Sequence, residues 1–313
     1  MWNLLTTTWK EWREDEASLL AAALAYYVAV SVAPLLVLVV VIAGFFLGQN
    51  TAENQLLTQL QTVVGAQASQ FLVQILRNAD QPQLASTAGI LSFLALIWGS
   101  TNVFAQLQNT LNKIWNVKPD PNSDITATFR RRLLSFSLVL GVAVLLLASL
   151  VLSAVLSTLI NIGQNILPGV PWIWQVVNFL VSLGVITLLF ATIVKVLPDA
   201  EVAWRSVWLG AAVTALLFTI GKFILSYYLA NAGNAYGAVG SVVVFLLWAF
   251  YSAQILFMGA EFTQVYARRY GQGIRPDKDA VRTADPVRDP GREAARRQTD
   301  EPDKDPKLAS ERR

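Results

Sequence analysis

Residues 15–48 read DEASLLAAALAYYVAVSVAPLLVLVVVIAGFFLG, and this stretch decides the fold. No residue from Leu19 to Leu47 is charged, and about 20 apolar residues are enough to cross the hydrocarbon core of a bilayer. The stretch therefore predicts a membrane-spanning helix. The tripeptide at 31–33 resembles a signal-peptide cleavage site, but the apolar run continues past it to Leu47, which favours a retained span.

Alanine recurs at every fourth position in the first half of this helix, and the row ends at a proline. Its members are Ala17, Ala21, Ala25, Ala29, Ala33 and Pro34. Helices in lipid gain little from burying apolar side chains against each other, so they associate by close approach along small residues. We expect this row to be a packing face, and the helix to lie in the middle of a bundle.

Charge is distributed unevenly along the 313 residues. Of the 45 charged residues, 23 fall in the segment 263–313, although only 14% of the whole chain is charged and 54% is hydrophobic. The chain contains no Cys and no His, which excludes thiolate nucleophiles, disulfides, Ser-His-Asp triads and imidazole zinc sites. We expect no catalytic residue, no metal and no cofactor. The polar residues Asn102, Gln106 and Asn109 lack the charge density of a nucleic-acid site.

The hydropathy pattern predicts an all-α polytopic membrane protein with six transmembrane helices and no strands. The spans are expected at about 19–47, 88–107, 133–160, 172–197, 206–229 and 239–262. Pro198 cannot continue a helix and so ends the fourth span. Residues 49–87 show two amphipathic helical patterns with Gly65 near the break. They contain very few basic residues, which favours packing on the protein over binding to anionic lipid.

The flanks of the predicted transmembrane domain, residues 17–265, have different characters. Residues 1–16 contain three Trp residues and are predicted to form a short interfacial helix on the cytoplasmic side. Residues 266–313 are expected to be a cytoplasmic tail, disordered from Arg275 onward because it has almost no apolar residues. Of the 24 Lys and Arg residues, 22 lie in segments on the side of the N-terminus. The positive-inside rule therefore predicts that both termini are cytoplasmic.

Polar side chains at two depths in the predicted spans are candidates for a pathway or a gate. Lys222 is the only basic residue well inside a span. Either it has a functional role within the membrane, or its long side chain reaches the interface. The residues near the inner ends are Asp15, Asn102, Gln106, Lys113, Gln254 and Glu261. They form either an inner gate or a set of ordinary interfacial caps. An outer polar row lines a cavity or simply joins two helices, and its members are Ser149, Ser153, Ser157 and Asn161.

Several short motifs resemble the YihY/BrkB family of bacterial inner-membrane proteins. They are DEASLLAAALAYY at 15–27, Ser31 with PLL at 34–36, LNKIW at 111–115, LPD at 197–199, GA at 210–211, YGA at 236–238, LW at 247–248 and GAE at 259–261. The resemblance covers nearly the whole chain to about residue 265 and implies a six-span helical membrane protein. Members of this family have been labelled ribonuclease BN, linked to serum resistance and associated with envelope integrity or lipid export. The ribonuclease label fits poorly with a chain that lacks His and Cys.

The function expected from these features is that of a transporter or a lipid-handling, envelope-integrity protein of the bacterial inner membrane. Its partners would be membrane lipids and a lipid or small-molecule substrate, and no nucleic acid. The alternative is a structural or scaffolding protein that acts through residues 49–88 and the tail. An enzyme is the least favoured class. Nothing in the sequence indicates an oligomeric state.

Overall fold

A computed structural model describes residues 2–48, 54, 56–58, 60–61, 64–79, 102–120, 141, 171–232, 240–271 and 273–283. Its helices are α1 (Trp2–Glu14), α2 (Ala17–Leu47), α3 (Ala66–Ala79), α4 (102–114), α5 (Pro171–Val196), α6 (Trp204–Ala232) and α7 (Gly240–Tyr270). Its strands are β1 (Val117–Pro119), β2 (Ala200–Glu201), β3 (Arg275–Pro276) and β4 (Ala280–Arg282). The described part of the chain is therefore mostly helical, as the sequence predicts.

Three of these helices, α5, α6 and α7, are long and apolar enough to cross a membrane. They coincide with the predicted fourth, fifth and sixth spans, although α7 continues past the predicted end at 262 to Tyr270. A fourth candidate combines Trp2–Glu14 with Ala17–Val32, two helices that meet at an angle of 63°. Helix α4 covers the end of the predicted second span and runs on to residue 114. Residues 80–101 and, apart from helical Gly141, the predicted third span lie outside the described residues, so the number six stays a prediction.

Helix α7 has the central position in the described part of the structure. It packs against α1, α2, α3 and α6, and α5 packs on the far side of α6. The expectation that the first span lies in the middle of the bundle stays a prediction, because most of the predicted second and third spans lies outside the described residues. In the alanine row Ala17, Ala21 and Ala25 are buried and Ala29 is half-buried, whereas the side chains of Ala33 and Pro34 lie outside the described residues.

The amphipathic segment packs on the protein, as its lack of basic residues predicts. Helix α3 lies against α7 and α2, and the change of direction before it occurs at Gly65, whose φ is +86°. Such a φ is readily adopted only by glycine. The apolar side chains of the segment join those of α2, α6 and α7 in one cluster, which contains Leu36, Leu56, Val64, Ala68, Leu72, Leu76, Leu225, Val244 and Phe245.

Two small antiparallel ribbons correct the prediction that the chain has no strands. β1 pairs with β4, and β2 pairs with β3. The expectation of disorder from Arg275 onward is wrong for residues 275–283, because β3 and β4 lie there. Strands of two or three residues leave no periodic pattern to read, and their pairing uses backbone groups rather than apolar side chains. Residues 273–283 are called the strap below, and residues 284–313 lie outside the described part.

Helix α1 lies across the end of α7 at which both ribbons lie, which is called the strand end below. Leu4, Thr8 and Glu11 are buried on one face, and the Arg268 guanidinium of α7 forms an ion pair with Glu11. The opposite face exposes Trp2 and Leu5, together with Trp9. An exposed apolar and aromatic stripe beside a membrane-spanning bundle is typical of an interfacial helix.

Candidate functional site

Two motifs that lie far apart in the sequence meet at the strand end. Asn112, near the end of α4, donates its side-chain amide to Asp199 Oδ2 at 2.8 Å, and its Oδ1 accepts the backbone N–H of Asp199 at 2.9 Å. One turn earlier, Gln108 Nε2 donates to Asp199 Oδ1 at 3.2 Å. Asn112 is buried, so this pairing fixes the connection between α5 and α6 against the end of α4.

The local sequence explains why this connection presents its groups to α4. Pro198 follows the last turn of α5 and offers no N–H, so the helix ends there. The next residue, Asp199, presents its backbone N–H and its carboxylate to the same side chain of α4. An asparagine amide supplies one acceptor and one donor in the same plane and therefore matches both groups. The Lys195 ammonium donates to Val202 O at 2.7 Å and closes the same turn.

A second tie joins α4 to α7. The indole Nε1 of Trp115 donates to the carbonyl oxygen of Ala260 at 3.2 Å, and both residues are buried. Leu111 and Ile114 are fully buried in the same apolar cluster as Ala17, Ala21 and Ala260. The LNKIW, LPD and GAE motifs and the start of the first span are thus parts of one packed region at the strand end.

Helix α7 carries a group of buried polar residues directly after this tie. Glu261 and Thr263 have no exposed surface, and Gln264 is 6% exposed. Glu261 lies seven residues before Arg268, which is about 10 Å along a helix, and it belongs to a helix that is long and apolar enough to cross a membrane. Burying a carboxylate in this way has a large desolvation cost. The sequence places Glu261 near an inner end, and the structure shows how deeply it is enclosed.

A cleft of about 440 Å³ opens beside the Asn112 pairing at the strand end. The described residues that line it are Asp15, Asn109, Asn112, Lys113, Asn116, Val117, Lys118, Pro119 and Thr283. The floor includes Asp15, which is 7% exposed, and the rim includes Thr283 of the strap. The cleft therefore brings together the turn between α1 and α2, the end of α4 and the strap.

The structure separates the predicted gate residues into different places. Asp15 lines the cleft, whereas Glu261 is enclosed in α7. Asn102, Gln106 and Gln254 are half-buried and do not belong to the described lining of the cleft. Gln254 and Glu261 are seven residues apart and so share one face of α7. The cleft brings Asp15 together with Lys113, and the other residues predicted near the inner ends lie elsewhere on α4 and α7.

Lys222 is half-buried on α6, and its ammonium lies 5.8 Å from the ring centroid of Phe223. Phe223 is 67% exposed on the surface of α6 that the described helices leave uncovered. The neighbouring Gly221 packs closely on Ile255 of α7, which places Lys222 about level with Gln254. The outer polar row, Ser149, Ser153, Ser157 and Asn161, lies outside the described residues.

A close contact between glycine and threonine residues holds α6 against α7, and the predictions from sequence do not include it. A Cβ added at Gly210 would lie 1.9 Å from Thr263 Oγ1, and one added at Gly259 would lie 1.8 Å from Thr214 Oγ1. Each threonine hydroxyl donates to the carbonyl of the glycine four residues earlier on its own helix, at 2.8 Å and 2.7 Å. The signal in the sequence is a glycine followed four residues later by threonine on both helices, which is a small-residue packing motif.

Comparison with known proteins shows a family and several relatives. Residues 8–284 match the protein family described as "Virulence factor BrkB". A "UPF0761 membrane protein" of Tolumonas auensis is 27% identical over 82% of this chain and 82% of its own length. A relative of that name in Alteromonas mediterranea is 28% identical over 81% of this chain and 84% of its own length. A relative of that name in Haemophilus influenzae is 24% identical over 81% of this chain and 91% of its own length. No solved structure matches the chain.

The matched range includes the strap, which lies beyond the region that the motif resemblance covers. The resemblance ends at about residue 265, whereas the family match continues to residue 284. The ribbons at the strand end therefore lie within the matched part of the chain. None of the names of these relatives states an enzymatic activity.

Proposed function

Because the chain belongs to the BrkB family of membrane proteins, we propose that it is a transporter or lipid-handling protein of the bacterial inner membrane. The observation that carries the proposal is Glu261, a carboxylate with no exposed surface inside a membrane-spanning helix. Ionisable residues at such positions are costly and are typical of substrate or ion pathways. In this proposal Glu261 lies in the pathway, and the substrate is a lipid or a small molecule.

The polar residues of α6 and α7 support a pathway along the face of α7 that carries Glu261. Gln254 lies two turns from Glu261 on that face, and Arg268 lies two turns further towards the strand end. Lys222 is about level with Gln254, because Gly210 meets Thr263 and Gly221 meets Ile255 in the antiparallel pairing of α6 with α7. Charged and polar groups therefore occur at two depths on these helices, Lys222 with Gln254 at one and Glu261 at the other, and this arrangement supports a pathway.

The strand end faces the cytoplasm in this proposal. The exposed basic residues of the described part concentrate there, and they include Arg13, Arg205, Arg268 and Arg269. Exposed Trp204 and Trp208 lie at the start of α6, and exposed Tyr227 lies near its other end. Trp208 and Tyr227 are 19 residue steps apart, which correspond to about 28 Å of helix and are close to the thickness of the hydrocarbon core.

The test is the Glu261→Gln variant in a strain from which the gene has been deleted. We expect protein that inserts at normal levels but fails to restore the envelope phenotype, because the amide keeps the shape and removes the ionisable group. Lys222→Met tests the second depth in the same way. Glu201→Gln is the matched control, since Glu201 is exposed in β2. Full complementation by both Glu261→Gln and Lys222→Met would remove the support for a pathway.

The close packing of α6 on α7 favours a second candidate function, a structural or scaffolding protein. Gly210 and Gly259 allow the two helices to approach so closely that a methyl group would not fit between them, which suits a permanent bundle. A scaffold of this kind would not bind a partner through the apolar face of 56–76, because that face packs on α2 and α7. A scaffold would tolerate Glu261→Gln, so the complementation experiment also separates these two functions.

A further inference from the structure

The strap bridges two connections that belong to different helices. β4 pairs with β1 directly after α4, and β3 pairs with β2 in the connection between α5 and α6. Three further backbone hydrogen bonds extend these ribbons: Asp277 N donates to Asp199 O, Asp120 N to Asp279 O, and Thr283 N to Asn116 O, at 2.9–3.0 Å. An 11-residue segment after the last span thus joins the ends of α4, α5 and α6.

The strap is weakly held compared with the helices that it joins. Its ribbons contain three and two residue pairs, and isolated two-stranded ribbons are marginally stable in water. Ile274 is its one buried apolar residue among those described, and Arg275, Lys278, Arg282 and Thr283 are exposed. The connection beneath it has its own fastening, the pairing of Asn112 with Asp199. Detachment of the strap would therefore leave this fastening of the bundle in place.

Seating of the strap affects both the cleft and the helices. Thr283 and Asp15 both line the cleft, so detachment of the strap removes part of the wall of the cleft. While the strap is seated, it also holds the α5–α6 connection at a fixed distance from the end of α4. Displacement of the α5–α6 connection relative to α4 must therefore strain the ribbons as well as the Asn112–Asp199 pairing.

We propose that the strap is a reversible latch that holds the strand end closed, and that its release accompanies opening of the pathway. This inference rests on the proposed function, because a latch has a role only in a protein whose helices move.

The chain contains no cysteine, so a disulfide lock can be introduced without a background thiol. Pro119 and Ala280 are partners in the register, and the next partners, Asp120 and Asp279, share a backbone hydrogen bond. Hydrogen-bonded and non-hydrogen-bonded pairs alternate, so 119 and 280 form a non-hydrogen-bonded pair with Cα atoms about 4.5 Å apart. That distance lies within the range of natural disulfides. The Pro119→Cys/Ala280→Cys variant, oxidised, keeps the latch closed.

Hydrogen exchange of the full-length protein in lipid nanodiscs measures how often the backbone hydrogen bonds of the strap open. In the reduced double variant we expect the amides of Asp277 and Thr283 to exchange at least about 100-fold faster than those of 255–265 in α7. Oxidation should slow the strap amides at least about tenfold and leave α7 unchanged, and Pro119→Cys alone should show no response to oxidation. Strap amides that exchange as slowly as α7, or that do not respond to the lock, would overturn the latch. That failure is separate from failure of the transporter proposal, which complementation by Glu261→Gln detects.

Discussion

Exchanging the two side chains of the Asn112–Asp199 pair tests the architecture of the strand end most sharply. Asn112→Asp alone replaces an amide donor, 2.8 Å from Asp199 Oδ2, with a second carboxylate. The variant loses a hydrogen bond to a charged group, worth about 1.5–3 kcal/mol, and it also places two negative charges side by side. We expect the free energy of unfolding to fall by about 2–4 kcal/mol, because the repulsion between the two carboxylates adds to the loss of the hydrogen bond.

The double variant Asn112→Asp/Asp199→Asn should recover most of this loss. The introduced carboxylate at position 112 would accept both the backbone N–H and the introduced side-chain amide of position 199. The amide oxygen at position 199 would still accept from Gln108. All three hydrogen bonds of the natural pair are therefore retained, with the charge moved to the other position. The coupling energy of this double-mutant cycle should be about 1–3 kcal/mol in favour of the pair.

Unfolding in mixed detergent micelles, followed by far-UV circular dichroism, gives the free energies for this cycle. Asn109→Asp is the matched control, because Asn109 is exposed three residues earlier on α4, and it should change stability by no more than about 0.5 kcal/mol. The reasoning would be refuted if Asn112→Asp were as mild as Asn109→Asp. It would equally be refuted if the double variant were no more stable than Asn112→Asp alone.

Three further predictions concern packing and backbone geometry. Gly210→Ala should destabilise the protein by about 1–3 kcal/mol, because its Cβ would overlap Thr263 Oγ1, and adding Thr263→Ala should restore part of the loss. Thermal denaturation checks both, with Gly184→Ala as the control, since a Cβ there meets nothing within 4 Å. Ala21→Leu should lower the yield of folded protein in size-exclusion chromatography, because Ala21 is fully buried. Ala22→Leu, on the exposed side of α2, should leave the yield unchanged. Equal elution profiles for the two variants would mean that the alanine row is not a packing face. Asn116 has a φ of +54° at the end of α4. Asn116→Gly should therefore be neutral, and Asn116→Ala should cost about 1 kcal/mol in the same melts. A loss of stability with glycine as large as that with alanine would mean that the side chain rather than the backbone matters.

The spans that α5, α6 and α7 form could be predicted from sequence because lipid imposes a simple requirement. A helix such as α6 must be apolar for about 20 residues, and that length is visible without any knowledge of its neighbours. The break at Gly65 and the end of α5 at Pro198 were equally readable, since glycine and proline act through their own backbone.

The strand end could not be predicted because its contacts join residues that are distant in the chain. Asn112 and Asp199 are 87 residues apart, and Trp115 and Ala260 are 145 apart, so no local pattern relates them. The strap reads as a disordered tail because its pairing depends on backbone groups rather than on apolar side chains. Glu261 was recognised as a polar residue near a span end, but its complete burial depends on the helices around it.

Access of water to position 261 tests the account most directly. A pathway residue must meet water at some stage of the transport cycle, whereas a residue sealed in a static bundle does not. Glu261→Cys in this cysteine-free chain can be treated with a membrane-impermeant thiol reagent applied from the strand end. It is compared with Thr263→Cys, a fully buried position on the opposite face of α7, and with Glu201→Cys, an exposed one. We predict labelling at 261 that is slower than at 201 and at least about tenfold faster than at 263. Labelling at 261 that does not exceed the rate at 263 would contradict the pathway.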